Sequence, residues 1–96
     1  MEILIMSTST LEDEIREFVL TSVIDEMNIL TSRDGITDES PVTVGGLDVD
    51  SLSLIELTLR LESRFGVEIP DTDIESLASL TLGGLVAEVV RRGAKA

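Results

Sequence analysis

The stretch "GGLDVDSLSLIELTLRLESRF", residues 45–65, places one hydroxyl, Ser51, at the start of an amphipathic helical pattern. A serine that attacks a substrate needs a base beside it, in most enzymes a histidine, to take its proton. The chain has 96 residues and contains no histidine, cysteine, tyrosine or tryptophan. The usual base and the alternative thiol nucleophile are both missing. If Ser51 is used chemically, the activating groups sit on another protein, and this chain is a substrate or carrier, not a catalyst. The competing reading makes Ser51 only an alternative helix cap to Asp50. Its surroundings favour chemistry: a helix N-terminus offers free N–H groups and a positive dipole end that favour phosphate. Asp50 adds a carboxylate able to help hold Mg²⁺ and phosphate, and Leu52 an outward apolar side chain.

The elements that position this serine are helical. Asp50 is the expected N-cap of a helix over residues 51–65, with Gly66 as its stop. At 100° per residue Leu54, Leu57, Thr58, Leu61 and Phe65 share one arc, the core stripe. The opposite side carries Leu52, Glu56, Leu59 and Ser63, with Ile55 at its flank. A helix in a small bundle keeps that second face polar, so Leu52 and Leu59 form either a docking strip or a surface covered by the loop 31–46. On the docking reading, Leu52, Ile55 and Leu59 make the apolar contact. Asp48, Glu56, Glu62, Asp71, Asp73 and Glu75 then meet basic groups of a partner and orient it.

Upstream, Ser9 and Glu12 have the spacing of a capping box. Leu11, Ile15, Phe18, Val19, Ser22 and Ile24 follow near a 3.6-residue period, which predicts helix one over residues 10–28. "TSRDGITDESPVTVGG", residues 31–46, is a long loop rich in helix-breaking and turn-forming residues. Ile36, Val42, Val44 and Leu47 are its candidates for pinning to the core. Asp71 or Thr72 is expected to cap a short third helix ending near Leu77. Thr81 is expected to cap a fourth with Leu82, Leu85, Val86 and Val89 on one stripe, ending in Arg91 and Arg92. Gly83 and Gly84 weaken its first turn. No strand alternation and no repeat is present, so the expected class is all-α. The architecture is a four-helix bundle, three longer helices and a short third, with a long first loop. The domain is expected over residues 10–92, with a flexible tail over 1–9 and a C-terminal tail over 93–96.

Composition narrows the function classes. Aromatics are only 2% of a chain that is 43% hydrophobic, so the core rests on Leu, Ile and Val with Phe18 and Phe65. Without Cys or His, disulfides and zinc sites are not expected, and no metal site is assigned. A net charge of −12 repels nucleic acid and anionic membrane and implies basic partners. "MEILIM" is too short for a signal peptide or a membrane span, so a cytoplasmic monomer is expected.

"LDVDSLSLIEL" resembles the Asp-Ser-Leu signature of acyl carrier proteins and their peptidyl carrier relatives, and "FGVEIP" is similar to the phrase that follows their second helix. The likeness covers about Leu11 to Val90. It implies a stand-alone, four-helix carrier whose Ser51 is esterified with 4′-phosphopantetheine from coenzyme A by a phosphopantetheinyl transferase with Mg²⁺. The arm's thiol then holds acyl or aminoacyl groups as thioesters. The implied partners are that transferase, an acyl- or aminoacyl-loading enzyme, and downstream synthase or tailoring enzymes with basic docking surfaces. Several features depart from the family pattern: Asp48 stands where a glycine is common, Val49 where a small residue is common, the first loop is long, and Arg60 and Arg64 interrupt helix two. They bear on which partners it takes; because the chain holds no second domain, the expected role is a stand-alone carrier in polyketide or nonribosomal peptide biosynthesis, with a fatty-acid synthesis carrier as the alternative.

Three rival functions compete with a carrier. A calcium loop starting at Asp48 lacks an oxygen ligand at Leu52 and an acidic residue at Leu59. A paired-carboxylate enzyme needs a walled pocket that so short a chain cannot supply. An unmodified acidic helical adaptor shares every feature except a reactive Ser51.

Overall fold

The computed structural model describes residues 2–95, with side chains described from residue 10 onward. In chain order the elements are α1 (Glu2–Thr21), a π-helical segment (Ser22–Glu26), α2 (Ser51–Phe65), a 3-10 turn (Asp71–Asp73), α3 (Ile74–Ala78) and α4 (Leu82–Arg91). The all-α class holds: among the described residues the only extended pairing is an isolated bridge between Pro41 and Thr81.

α1 starts earlier than its capping pattern suggests, at Glu2, with Ser9 inside the helix. The first nine residues contain no Pro or Gly, so nothing in them stops a helix, and a Ser-x-x-Glu spacing does not compel one to begin. The expected tail over residues 1–9 is helical in its backbone from Glu2, and its side chains lie outside the described residues. At the other end α1 does not run on to residue 28 but widens into the π segment, where the Met27 N–H donates to the Ser22 carbonyl at 2.7 Å. An i→i+5 turn shifts the helical phase of the residues beyond it. Val23 is therefore fully buried, while Ile24, expected in the stripe, is only half-buried.

α2 forms as expected. The Asp50 carboxylate accepts the Ser53 N–H at 2.8 Å, and Gly66 ends the helix in the left-handed region, φ +70°, donating to the Glu62 carbonyl. Leu54, Leu57, Leu61 and Phe65 are buried against Ile15, Val19, Leu85, Val86 and Val89. Thr58 is also buried, its hydroxyl satisfied by the Ile55 carbonyl at 2.8 Å. α3 lacks the side-chain cap expected from Asp71 or Thr72. Pro70 instead leads into the 3-10 turn, and Asp73, at the head of α3, turns its carboxylate to Arg92 at 2.9 Å.

The long loop is sewn to both terminal helices. Arg16 grips Asp38 through two bonds of 2.8 and 2.9 Å, and Arg33 grips Glu17 at 2.8 and 3.0 Å. The Asp38 and Ser40 carbonyls accept the Gly83 and Leu82 N–H groups that begin α4. A Cβ on Gly83 would lie 2.9 Å from the Asp38 Cβ, so the glycine that costs helix propensity permits this approach. Val42 and Leu47 pin the loop as expected, and Val49 joins them. Val44 does not: a tight turn from Thr43 to Gly46 carries it outward, 84% exposed. Residues 93–95, expected as a tail, follow α4 onto the end of α2, where the Lys95 N–H donates to the Phe65 carbonyl at 2.8 Å.

Candidate functional site

Ser51 is the first residue of α2, and its side chain is exposed. The preceding turn fixes it there. The Leu47 N–H donates to the Pro41 carbonyl and the Val49 N–H to the Val42 carbonyl, so Leu47 and Val49 plug into the core one residue apart and Asp50 and Ser51 are left facing out. A Cβ on Gly46 would lie 2.2 Å from the Pro41 carbonyl oxygen, which makes glycine obligatory at that crossing. Asp48, where carriers commonly have glycine, sits at φ +60°, and its carboxylate accepts the Gly45 N–H at 3.0 Å. Asp tolerates the left-handed region better than most residues because its short side chain bonds locally.

The Asp50 carboxyl is held below its ordinary range, chiefly by the Ser53 N–H, and it remains charged beside the serine near neutral pH. A shallow open depression borders Ser51, lined by Thr43, Val44, Val49 and Ala78 with Asp48 and Asp50 at its rim. The site therefore combines an exposed hydroxyl, first-turn N–H groups, one ionised carboxylate and open space. A phosphate on Ser51 fits this chemistry, since the first-turn N–H groups favour its charge and the depression leaves it room. Among the described residues no three Asp or Glu side chains are grouped to hold a metal by themselves. A Mg²⁺ at Asp50 would take its other oxygens from the nucleotide and the modifying enzyme.

The apolar strip is open. Leu52 is 78% exposed and Leu59 58%, with Ile55 at the margin. The loop 31–46 does not cover them but lies against α1 and the start of α4. The acidic candidates divide. Asp71 and Glu75 are exposed and make no ion pair among the described residues. Glu56 pairs with Arg60 at 3.0 Å on its own helix. Asp73 is committed to Arg92, and Asp48 to its own turn. The Glu62 carboxylate accepts the Ile69 N–H at 2.7 Å and braces the segment after α2. Sequence reasoning missed Val44 and Ala78 beside the serine. The "VGG" after Thr43 was the signal that the chain turns sharply enough there to expose its valine.

Ser51 is thus an exposed hydroxyl at a helix N-terminus in a chain without histidine. The chain matches the family described as "Phosphopantetheine attachment site" over residues 17–89. It is 33% identical over 70 residues to an acyl carrier protein of Rhodococcus erythropolis, covering 73% of this chain and 72% of that one. An acyl carrier protein of Campylobacter hominis is 34% identical over 67 residues, covering 70% and 81%. A meromycolate extension acyl carrier protein of Mycolicibacterium smegmatis is 34% identical over 70 residues, covering 73% and 67%. No solved structure gives a significant match. The chain belongs to the acyl carrier family of phosphopantetheine-attachment domains. It is a carrier, not an enzyme, and its cofactor is covalent 4′-phosphopantetheine installed by a phosphopantetheinyl transferase. No described helix is long and apolar enough to cross a membrane.

Proposed function

We propose that Ser51 is the attachment residue and that the chain carries intermediates of a polyketide or nonribosomal peptide pathway. The observation that carries the attachment reading is the exposed Ser51 hydroxyl at the head of α2, beside the ionised Asp50 and within the matched span. In the modification, Ser51 Oγ bonds to the phosphorus of coenzyme A's phosphopantetheine and the bond to the adenosine 3′,5′-bisphosphate leaving group breaks. The serine proton goes to a base on the transferase. Asp50 would offer a carboxylate oxygen to Mg²⁺, which would supply neutralisation of the phosphate charge, and the α2 N-terminus favours the new phosphodiester charge. Once attached, the arm supplies the thiol that holds cargo as a thioester. Leu52, Ile55 and Leu59 dock the transferase and later enzymes, and Glu56, Asp71 and Glu75 steer their basic surfaces.

Incubating the apo-protein with coenzyme A, Mg²⁺ and a broad-specificity transferase should add one phosphopantetheine by intact mass, and Ser51→Ala should add none. A folded protein that gains no mass would support the adaptor reading instead.

Arg60 and Arg64 break the acidity of α2 and so bear on which partner enzymes it meets. A second reading, chain extension of fatty acids, is favoured by the relatives, among them acyl carrier proteins and a meromycolate extension carrier. Releasing the cargo from the protein purified from its own host separates the two. β-Keto, branched or aminoacyl groups support the first reading, and straight reduced acyl chains the second.

A further inference from the structure

Beyond the docking strip, at the Phe65 end of α2, a groove runs between α1 and α2. Phe18 lies half-buried at its floor, Leu59 forms a wall, and Arg60, Ser63 and Arg64 form the rim together with Glu56, whose carboxylate is already taken up by Arg60. The floor is rigid, since Phe18 meets Phe65 edge to face with ring centres 5.5 Å apart. Every arginine outside α2 is matched by a carboxylate: Arg16 by Asp13 and Asp38, Arg33 by Glu17, and Arg91 and Arg92 by Glu88, with Arg92 also on Asp73. Arg64 has no such partner among the described residues, and its guanidinium rests 4.7 Å above the Phe65 ring. Arg60 has only Glu56, an exposed i,i+4 pair of the kind that contributes little. In a chain of net charge −12, an uncommitted guanidinium beside an exposed leucine and a half-exposed phenylalanine has the composition of a contact site, where aromatic residues and Arg are enriched.

The geometry points to a second contact point for a partner enzyme of this carrier: the groove receives an apolar side chain of that enzyme, flanked by carboxylates that bond Arg60 and Arg64. This rests on the carrier reading and names the kind of partner that the same surface fits. The rise along α2 from Ser51 to Arg64 is about 20 Å. The partner therefore has a basic surface around the pocket that takes the arm and an acidic spot about 20 Å away. On the α1 side of Phe18, Asp13 and Glu17 are already paired with Arg16 and Arg33, and Glu14 is the acid that disfavours carboxylates there. An enzyme with a uniformly basic docking face sets its own cations against Arg60 and Arg64, so the same pair also excludes wrong partners. A second copy of this chain could supply the carboxylates, but the charge of −12 on each copy opposes it.

The test uses ¹⁵N-labelled protein carrying the phosphopantetheine arm and two 15-residue amphipathic helical peptides, with leucines on one face and either glutamates or lysines on the other. The glutamate peptide should shift the amides of Phe18 and of residues 59–64, and Arg64→Glu should weaken that binding about tenfold or more. The same variant should still take up phosphopantetheine, at a rate no lower than the wild type's. Loss of uptake in the wild type would sink the carrier reading, whereas the groove is judged by the peptides alone. Three results overturn it: no glutamate-peptide shifts at the groove, equal occupancy by the lysine peptide, or shifts there on raising protein concentration without peptide, which would make a second copy the occupant.

Discussion

Ser51 matters because of what its neighbours leave undone. Leu47 and Val49 enter the core, Asp50 caps the helix, and the hydroxyl is left in solvent with no histidine to activate it. Leu52, one residue on, is also exposed. Leu52→Asp should keep the wild-type circular dichroism and melting temperature, because no core contact is lost, but lower the transferase kcat/KM about tenfold through lost apolar contact. An unchanged kcat/KM would remove Leu52 from the docking surface. Asp48 carries a second prediction. At φ +60° it should accept glycine with little loss, whereas Asp48→Val should destabilise by about 1–2 kcal/mol, read from denaturant melts. The exposed serine and leucine were legible in the sequence from composition and helical period. Val44 was not, since an apolar residue in a loop reads as a core pin until the turn that ejects it is known.

At the scale of elements, α2 and α4 follow their sequence patterns because their stripes, caps and stops agree with one another. α1 and α3 depart from theirs for lack of that agreement. The Ser9 pattern had no helix breaker before it, and Asp73, a candidate for the partner surface, is recruited by Arg92 from 19 residues downstream. No local signal announces a pairing across that separation. Arg92, mostly buried, bonds Asp73, Glu88 and the Glu68 carbonyl, and so fastens α3 to the end of α4. Arg92→Ala should raise amide hydrogen exchange in residues 71–78 more than in α2, and exchange that rises equally in both helices would show that the contact stabilises the bundle without specifically holding α3. Gly46→Ala tests the crossing that presents the serine. With its Cβ forced to 2.2 Å from a backbone oxygen, the loop must move, at a cost of about 1–3 kcal/mol.

For the whole molecule, charge sets the response to solvent. The −12 of net charge makes self-repulsion the dominant long-range term at neutral pH, and added NaCl screens it. The melting temperature at pH 7 should therefore rise between low and physiological salt, and a fall would mean that the surface ion pairs outweigh the repulsion. Acid acts in the opposite direction. Arg33 holds the Glu17 carboxyl below its ordinary range, Arg91 and Arg92 hold Glu88 there, and the Ser53 N–H does the same for Asp50. A carboxyl lowered in the folded state adds stability above its unfolded pKa, and that stability is lost as pH falls through the folded value. Melting temperature should drop below about pH 4, and double substitution of Glu17 and Glu88 by Gln should flatten that drop. Net charge was plain in the sequence. Which acids remain available was not, because Asp48, Glu62 and Asp73 are claimed by contacts that only the folded chain creates.

The most direct measurement is site-localising fragmentation of the protein after it has received its phosphopantetheine. The added mass should lie on Ser51 alone. Mass found on Ser53 or on any other hydroxyl, or a folded chain that refuses the group, would contradict attachment at the head of α2.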